Sequence, residues 1–224
     1  DNMWVNEAEF NGEAGVDDDG NGYFDDIYGY NFVPGTAGTI TWDKPSVNPD
    51  VEGDVGHGTH VAGTVAAVNN NGIGLCGVAG GTGKGDGVRL MSIEIFEGDE
   101  GCFTHQIAEG IRYAADNGAV IANNSWGYDP YSYANDKAFE NYMGVLHEAI
   151  NYFKENARLE GVLDGGIMLF AAGNETTAVS DYPGAYHSNI SVTAMAANYT
   201  PAFYTNYGAG TNICAPGGDA SYGT

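Results

Sequence analysis

The stretch His57-Gly58-Thr59-His60-Val61-Ala62-Gly63, continued by Thr64-Val65-Ala66-Ala67, decides how the rest of the chain is read. It puts a histidine at the glycine-flanked mouth of a helix made of small residues. Such side chains let a helix be buried, and burial would hold the imidazole in one orientation, the condition for a general base. His57 is therefore the candidate base. His60, one turn further on, is expected to face a neighbouring segment and to serve structure. A metal site on the i, i+3 pair would need the Glu and third ligand of an HExxH motif, and neither is there.

Downstream of about residue 55, short apolar runs alternate with helical periods, the pattern of a parallel sheet covered by helices. Val88 to Ile95 is expected as a strand, and Thr104 can cap a helix running to Ala115 with Ile107, Ile111 and Ala114 or Ala115 facing inward. Ala119 to Asn124 reads as the next strand. A long amphipathic helix follows from about Asp136 to Asn156, with Phe139, Tyr142, Met143, Leu146, Ile150 and Phe153 as its apolar stripe. The unbroken apolar run Ile167 to Ala172 predicts a buried strand, and Asn189 to Ala194 another. In open sheets of this kind, catalytic groups gather beyond the carboxyl ends of the strands. Ser125-Trp126-Gly127 and Gly173-Asn174 both fall just past strand ends, so two distant segments are expected on one rim.

The 224 residues suffice for one α/β domain with a sizeable core, and no Pro/Ser-rich linker or charge block divides them. With 43% hydrophobic residues, 35 Gly and 15 Tyr, the composition is that of a loop-rich globular protein. Thirty acidic residues against seven basic ones give a formal charge of −23, which makes the electrostatic term that dominates nucleic-acid binding repulsive. Nucleic acid is excluded as a partner. No apolar run approaches the roughly twenty residues that span a bilayer, so no membrane partner is expected. Cys76, Cys102 and Cys214 form no CxxC motif and allow at most one disulfide; buried free thiols are expected.

His57-Gly58-Thr59-His60-Val61-Ala62-Gly63, Asn123-Asn124-Ser125-Trp126-Gly127 and Ala171-Ala172-Gly173-Asn174-Glu175, in this order, resemble the subtilisin-like serine endopeptidases. That resemblance implies a three-layer α/β fold with a mostly parallel central sheet flanked by helices. It implies that His57 takes the proton of a serine hydroxyl and returns it to the leaving amine, and that Asn174 donates to the oxyanion. Ser125, Trp126 and Gly127 would bind the substrate backbone as an added strand. Ala171, Ala172 and Gly173 would form the other side of the P1 pocket, and Asp181 could lie near its floor and favour basic P1 residues. The family also has a triad Asp on a Val-Ile-Asp-x-Gly strand and a Ser in a Gly-Thr-Ser-Met-Ala segment. Neither pattern occurs here; Asp1, Ser191 and Ser221 lack the setting. The expectation is an internal piece of a catalytic domain, incomplete at both ends and inactive alone, whose partners are protein or peptide substrates and the remaining part of the same domain. A non-catalytic peptide- or partner-binding domain stays open as the alternative. The family further implies a secreted or cell-surface location.

Asp17-Asp18-Asp19-Gly20-Asn21-Gly22-Tyr23-Phe24-Asp25-Asp26 offers oxygens at alternate positions around a glycine turn, like the first part of an EF-hand loop. Asp17, Asp19, Asn21, the Tyr23 carbonyl and Asp25 are the expected Ca2+ ligands. Tyr28 stands where the loop's bidentate Glu would be, which leaves Asp26 or a distant residue to complete the shell; an Asx-turn-rich acidic loop without a cation is the other reading. Asn69 to Leu75 resembles a second calcium loop of the family, with Asn71 and the carbonyls of Ile73 and Leu75 as ligands.

Overall fold

The computed structural model describes residues 2–40, 56–97 and 100–219; Asp1 and Ser221 lie outside them. The chain divides into two compact units, residues 1–110 and 111–224.

In the first unit, helix α1 (Glu7–Asn11) starts at Asn6, whose side-chain oxygen accepts the Ala8 N–H and satisfies one of the orphan donors of the first turn. Strand β1 (Gly29–Asn31) and strand β2 (Gly38–Thr39) pair antiparallel. Helix α2 (His57–Ala66) precedes strand β3 (Ser92–Glu94), which runs parallel to β1 and completes a sheet of order β2-β1-β3. The strand expected over 88–95 contracts to these three residues because β1 offers only three to pair with, Gly29 opposite Ser92 through Asn31 opposite Glu94. Leu90 makes an isolated bridge to Met3. Gly29 has a φ of 126°, and a Cβ there would collide with the Ser92 backbone, so this close approach requires glycine. Strands β4 (Phe96–Glu97) and β5 (Glu100–Gly101) form a hairpin, followed by helix α3 (Thr104–Asp116), within a residue of the expected span. Tyr23, Tyr30 and Phe32 pack edge to face with centroids 4.8–5.8 Å apart, and the Gln106 side chain donates to the Phe32 carbonyl at 2.9 Å.

The second unit is built on strand β6 (Ile121–Asn124), helices α4 (Asp136–Tyr142) and α5 (Gly144–Asn156), a small hairpin of β7 (Arg158–Leu159) and β8 (Leu163–Asp164), and strands β9 (Ile167–Ala171), β10 (Ile190–Met195) and β11 (Ile213–Pro216). Strands β11-β10-β9-β6 form an all-parallel sheet in that order. The expected single helix over 136–156 is broken at Met143 (φ −117°, ψ 35°), just before Gly144, a residue that costs a helix about 1 kcal/mol relative to Ala. The break also corrects the stripe. Tyr142 is 79% exposed, whereas Phe139, Leu146, Ala149, Ile150 and Phe153 have no exposed surface. With Met168 and Phe170 of β9 they form the core, each large side chain contributing about 1.5–3 kcal/mol by burial.

All three cysteines are free, as expected, but they are not buried. Cys214 lies on the edge strand β11 and Cys76 in the exposed loop after α2; only Cys102 is half-buried, and burial next to Glu94 pushes its thiol up to about 11. Among the described residues no helix is long and apolar enough to cross a membrane.

Candidate active site

β6 and β9 are parallel neighbours, with Asn124 opposite Phe170, so their carboxyl ends finish side by side. Ser125-Trp126-Gly127 leaves one end and Ala172-Gly173-Asn174 the other. Asn124 staples the two by donating to the Leu169 carbonyl at 3.1 Å and accepting from the Trp126 indole at 3.2 Å, while that indole packs edge-on to Phe170. The Tyr128 N–H donates to the Tyr182 carbonyl and the Asp181 N–H to the Ala172 carbonyl, at 2.8 and 2.9 Å. These bonds draw residue 181 to both walls. A Cβ added to Gly127 would stand 3.1 Å from the Asp181 Cβ. A Cβ on Gly173, whose φ is 106°, would collide with the carboxyl of Asp181 and with the Asn206 amide. The structure thus brings Ser125, Trp126, Gly127, Ala171, Ala172, Gly173, Asn174 and Asp181 to one rim of the second unit.

Asn174 is exposed just past β9. The turn needs a positive φ, but Gly173 supplies it, and Asn174 is not in the left-handed region that a Gly-Asn turn would otherwise account for. Its N–H donates to Glu175 Oε2 at 2.9 Å. Asp181 is 5% exposed, and burial together with the facing Glu175 carboxylate raises its carboxyl to about 7. Asn206, with no exposed surface, donates to the Ala172 carbonyl (3.0 Å), Glu175 Oε2 (2.7 Å) and Asp181 Oδ1 (3.2 Å), and accepts the N–H groups of Glu175 and Thr177. The role of this residue is not legible in the sequence. Nothing in Tyr204-Thr205-Asn206-Tyr207 signals a partner thirty residues away.

His57 belongs to the first unit and opens α2. Gly56, at φ 66° and ψ 31°, is the N-cap, and its carbonyl accepts the His60 N–H at 2.9 Å. The expected burial of this helix holds only at its far end, where Ala66 is 3% exposed. His57 and His60 are both exposed.

In the acidic loop, Asp17 accepts the N–H groups of Gly20, Asn21 and Gly22, and both oxygens of Asp25 accept the Gly15 N–H. These two carboxylates shape the loop. Asn21 Oδ1 accepts the Tyr23 N–H, and the Tyr23 hydroxyl donates to Glu109. The carboxylates that converge are those of Glu9, Asp19 and Asp26, with one oxygen of each within 4.8 Å of the others. Asp26 has no exposed surface and Glu9 is 4% exposed. Amides of Asn6 and Asn21 donate to Asp19 and Asp26 at 2.9–3.1 Å. Three hard oxygen donors around one point suit a divalent cation such as calcium. In the second loop, Asn71 Oδ1 accepts the Ile73 N–H, and Ile73 and Leu75 are 75% and 73% exposed.

Residues 34–224 match the model of the Subtilase family. Subtilisin BL of Lederbergia lenta is 33% identical over 84% of the chain and 56% of its own length. An alkaline protease of Alkalihalobacillus alcalophilus is 32% identical over 84% of the chain and 40% of its own length. The chain therefore spans about half the length of the curated relatives it matches. Among solved structures, a protease of Pseudoalteromonas arctica superposes with a TM-score of 0.65 and 27% identity, covering 87% of this chain and 57% of that one. With a parallel α/β architecture, a rim built at the ends of β6 and β9, and a family match over most of its length, the chain belongs to the subtilase family.

Proposed function

We propose that the chain is part of a single secreted, calcium-stabilised serine endopeptidase domain that hydrolyses peptide bonds in proteins. In this reading a serine oxygen attacks the scissile carbonyl while His57 takes the hydroxyl proton, and the C–N bond breaks as His57 returns that proton to the leaving amine. The acyl-enzyme is then cleaved by water activated through the same imidazole. Asn174 donates to the carbonyl oxygen as its charge grows. Ser125 to Gly127 pair with the substrate backbone, and Gly127, Ala171 to Gly173 and Asp181 line the P1 recess. One observation carries the reading: the Asn124–Phe170 register aligns the ends of β6 and β9, and Asp181 abuts both flanking glycines. Neither Ser191 nor Ser125 contests it. Ser191 is fully buried and shares a 2.7 Å hydrogen bond with Ser180, and Ser125 Oγ accepts from Asn123.

Asn174→Ala in the complete enzyme tests the oxyanion role. We expect kcat to fall about 10²- to 10³-fold, the size seen for a subtilisin oxyanion-hole Asn, with KM changed by no more than a fewfold. An unchanged kcat would remove Asn174 from the mechanism and leave a peptide-binding rim.

For calcium, the support is the convergence of Glu9, Asp19 and Asp26 beside the loop formed by Asp17, Asn21, Tyr23 and Asp25. A cation held there stabilises the folded chain by about 2.7 kcal/mol at a hundredfold excess over its Kd. Calcium should raise Tm and a chelator reverse it. Asp19→Asn with Asp26→Asn should abolish the response, whereas Asp25→Asn, which alters only a loop-shaping carboxylate, should retain most of it. A Tm indifferent to calcium in the unsubstituted chain would contradict the site. The second loop, with Asn71 and the Ile73 and Leu75 carbonyls, is proposed as a weaker site.

A further inference from the structure

Glu175 and Asp181 are both acidic, both next to Gly173, and both bound by one buried amide. Two carboxylates in hydrogen-bonding range of each other repel unless a proton or a cation lies between them, and one amide N–H₂ can serve one oxygen of each but cannot neutralise the pair. The groups facing Asp181 sharpen the point. Along with Glu175 from the loop after β9, Asp129 from the loop after β6 acts on it, and both are negative; Asn206 is neutral, and the adjacent Tyr182 hydroxyl is turned to Asp136 at 2.7 Å. No cationic side chain among these groups offsets the charge. Among the described residues, the Lys137–Glu140 ion pair and the 2.7 Å His187–Asp136 hydrogen bond involve neither carboxylate.

We propose that Asp181 and Glu175 hold one proton between them, positioned by Asn206, and that its loss converts the P1 recess from a surface tolerant of uncharged side chains to one selective for lysine and arginine. This rests on the reading of Asp181 as part of the P1 recess. The balance is simple: below the transition Asp181 is a carboxylic acid donating its O–H to the Glu175 carboxylate, and above it that proton is released to solvent and the pair carries two charges. A cationic P1 side chain then meets two negative carboxylates, the buried one of Asp181 and the exposed one of Glu175. An apolar one must be buried against them, which is costly. The transition falls near 7, where burial and Glu175 put the Asp181 carboxyl. Asn206 is a positioning residue, since it fixes both carboxyl groups through a bond to each.

Two measurements test this. In the complete enzyme, kcat/KM for a P1-Lys peptide relative to its P1-Leu counterpart cancels the ionisation of His57, because both substrates need the same base. The ratio should rise at least about tenfold between pH 5.5 and 8.5, the equivalent of about 1.4 kcal/mol. It should be flat in Asp181→Asn, which is nearly isosteric and retains a polar partner for Asn206. A ratio that is flat in the unsubstituted enzyme, or that rises equally in Asp181→Asn, would overturn the proposal. Separately, carbon-13 carboxyl NMR of the complete protein should show one carboxyl titrating near neutrality that disappears in Asp181→Asn and moves to lower pH in Glu175→Gln. If no carboxyl titrates above pH 5.5, or if calcium abolishes the titration and so assigns the pair to a cation, the shared proton is wrong whatever the peptidase assay gives. An intact titration in a protein that cleaves no peptide would instead defeat the peptidase reading.

Discussion

His57→Ala in the complete enzyme should lower kcat by on the order of 10⁶-fold, the loss that follows removal of the base from a subtilisin triad. Without the imidazole the serine hydroxyl keeps its proton at the moment of attack, and the leaving amine departs without one. Folding should be little affected, because His57 is exposed at the first turn of α2 and the cap of that helix is the Gly56 backbone. Equal thermal melting of the two proteins would show that chemistry alone is lost. His60→Ala is the internal control. His60 is exposed one turn along, and its carbonyl accepts the Thr64 hydroxyl at 3.0 Å, a bond its side chain does not make. Turnover in that variant should stay within a fewfold. A folded His60→Ala enzyme without activity, beside an active His57→Ala enzyme, would reverse the assignment of the base.

The largest stability effect should come from Phe139→Ala. Phe139 has no exposed surface and is the hub of an aromatic cluster: it stacks on Tyr182 at 5.1 Å and meets Tyr133, Tyr186 and His147 with centroids 5.5–6.4 Å away. Truncation removes the transfer free energy of the ring and leaves a cavity that rigid neighbouring rings cannot close, a loss of about 3–5 kcal/mol. Tyr182 follows Asp181 directly, so the same variant should also loosen the P1 recess. Urea unfolding measures the first effect; a loss below about 1 kcal/mol would show that the cluster collapses around the gap.

Where the sequence could be read, it could be read for physical reasons. β9 and α3 announce themselves by an apolar run and a helical period, and both end within a residue of the expected place. β11 went unrecognised because it is an edge strand whose Ile213 and Cys214 are exposed, so no buried face writes an alternation into it. The break at Met143 hangs on one glycine inside an otherwise continuous period. The rim residues 125–127 and 171–174 were legible as motifs beyond strand ends. Asn206 was not, since its partners lie 25–34 residues away along the chain. Asp19 and Asn21 belong to the local template, whereas Glu9 reaches the cluster from α1, where it accepts the Asp18, Asp19 and Asp25 N–H groups, and only the fold brings it there. An acidic residue on a short helix just ahead of an Asp-rich loop is the signal that could have pointed to it.

The central claim, a peptidase working through an activated serine, is tested most directly by a fluorophosphonate probe on the complete folded protein. One serine other than Ser125, Ser180 or Ser191 should be labelled stoichiometrically, and the labelling should be lost on His57→Ala. Labelling at any of those three, or none at all in a folded protein with His57 intact, would contradict it.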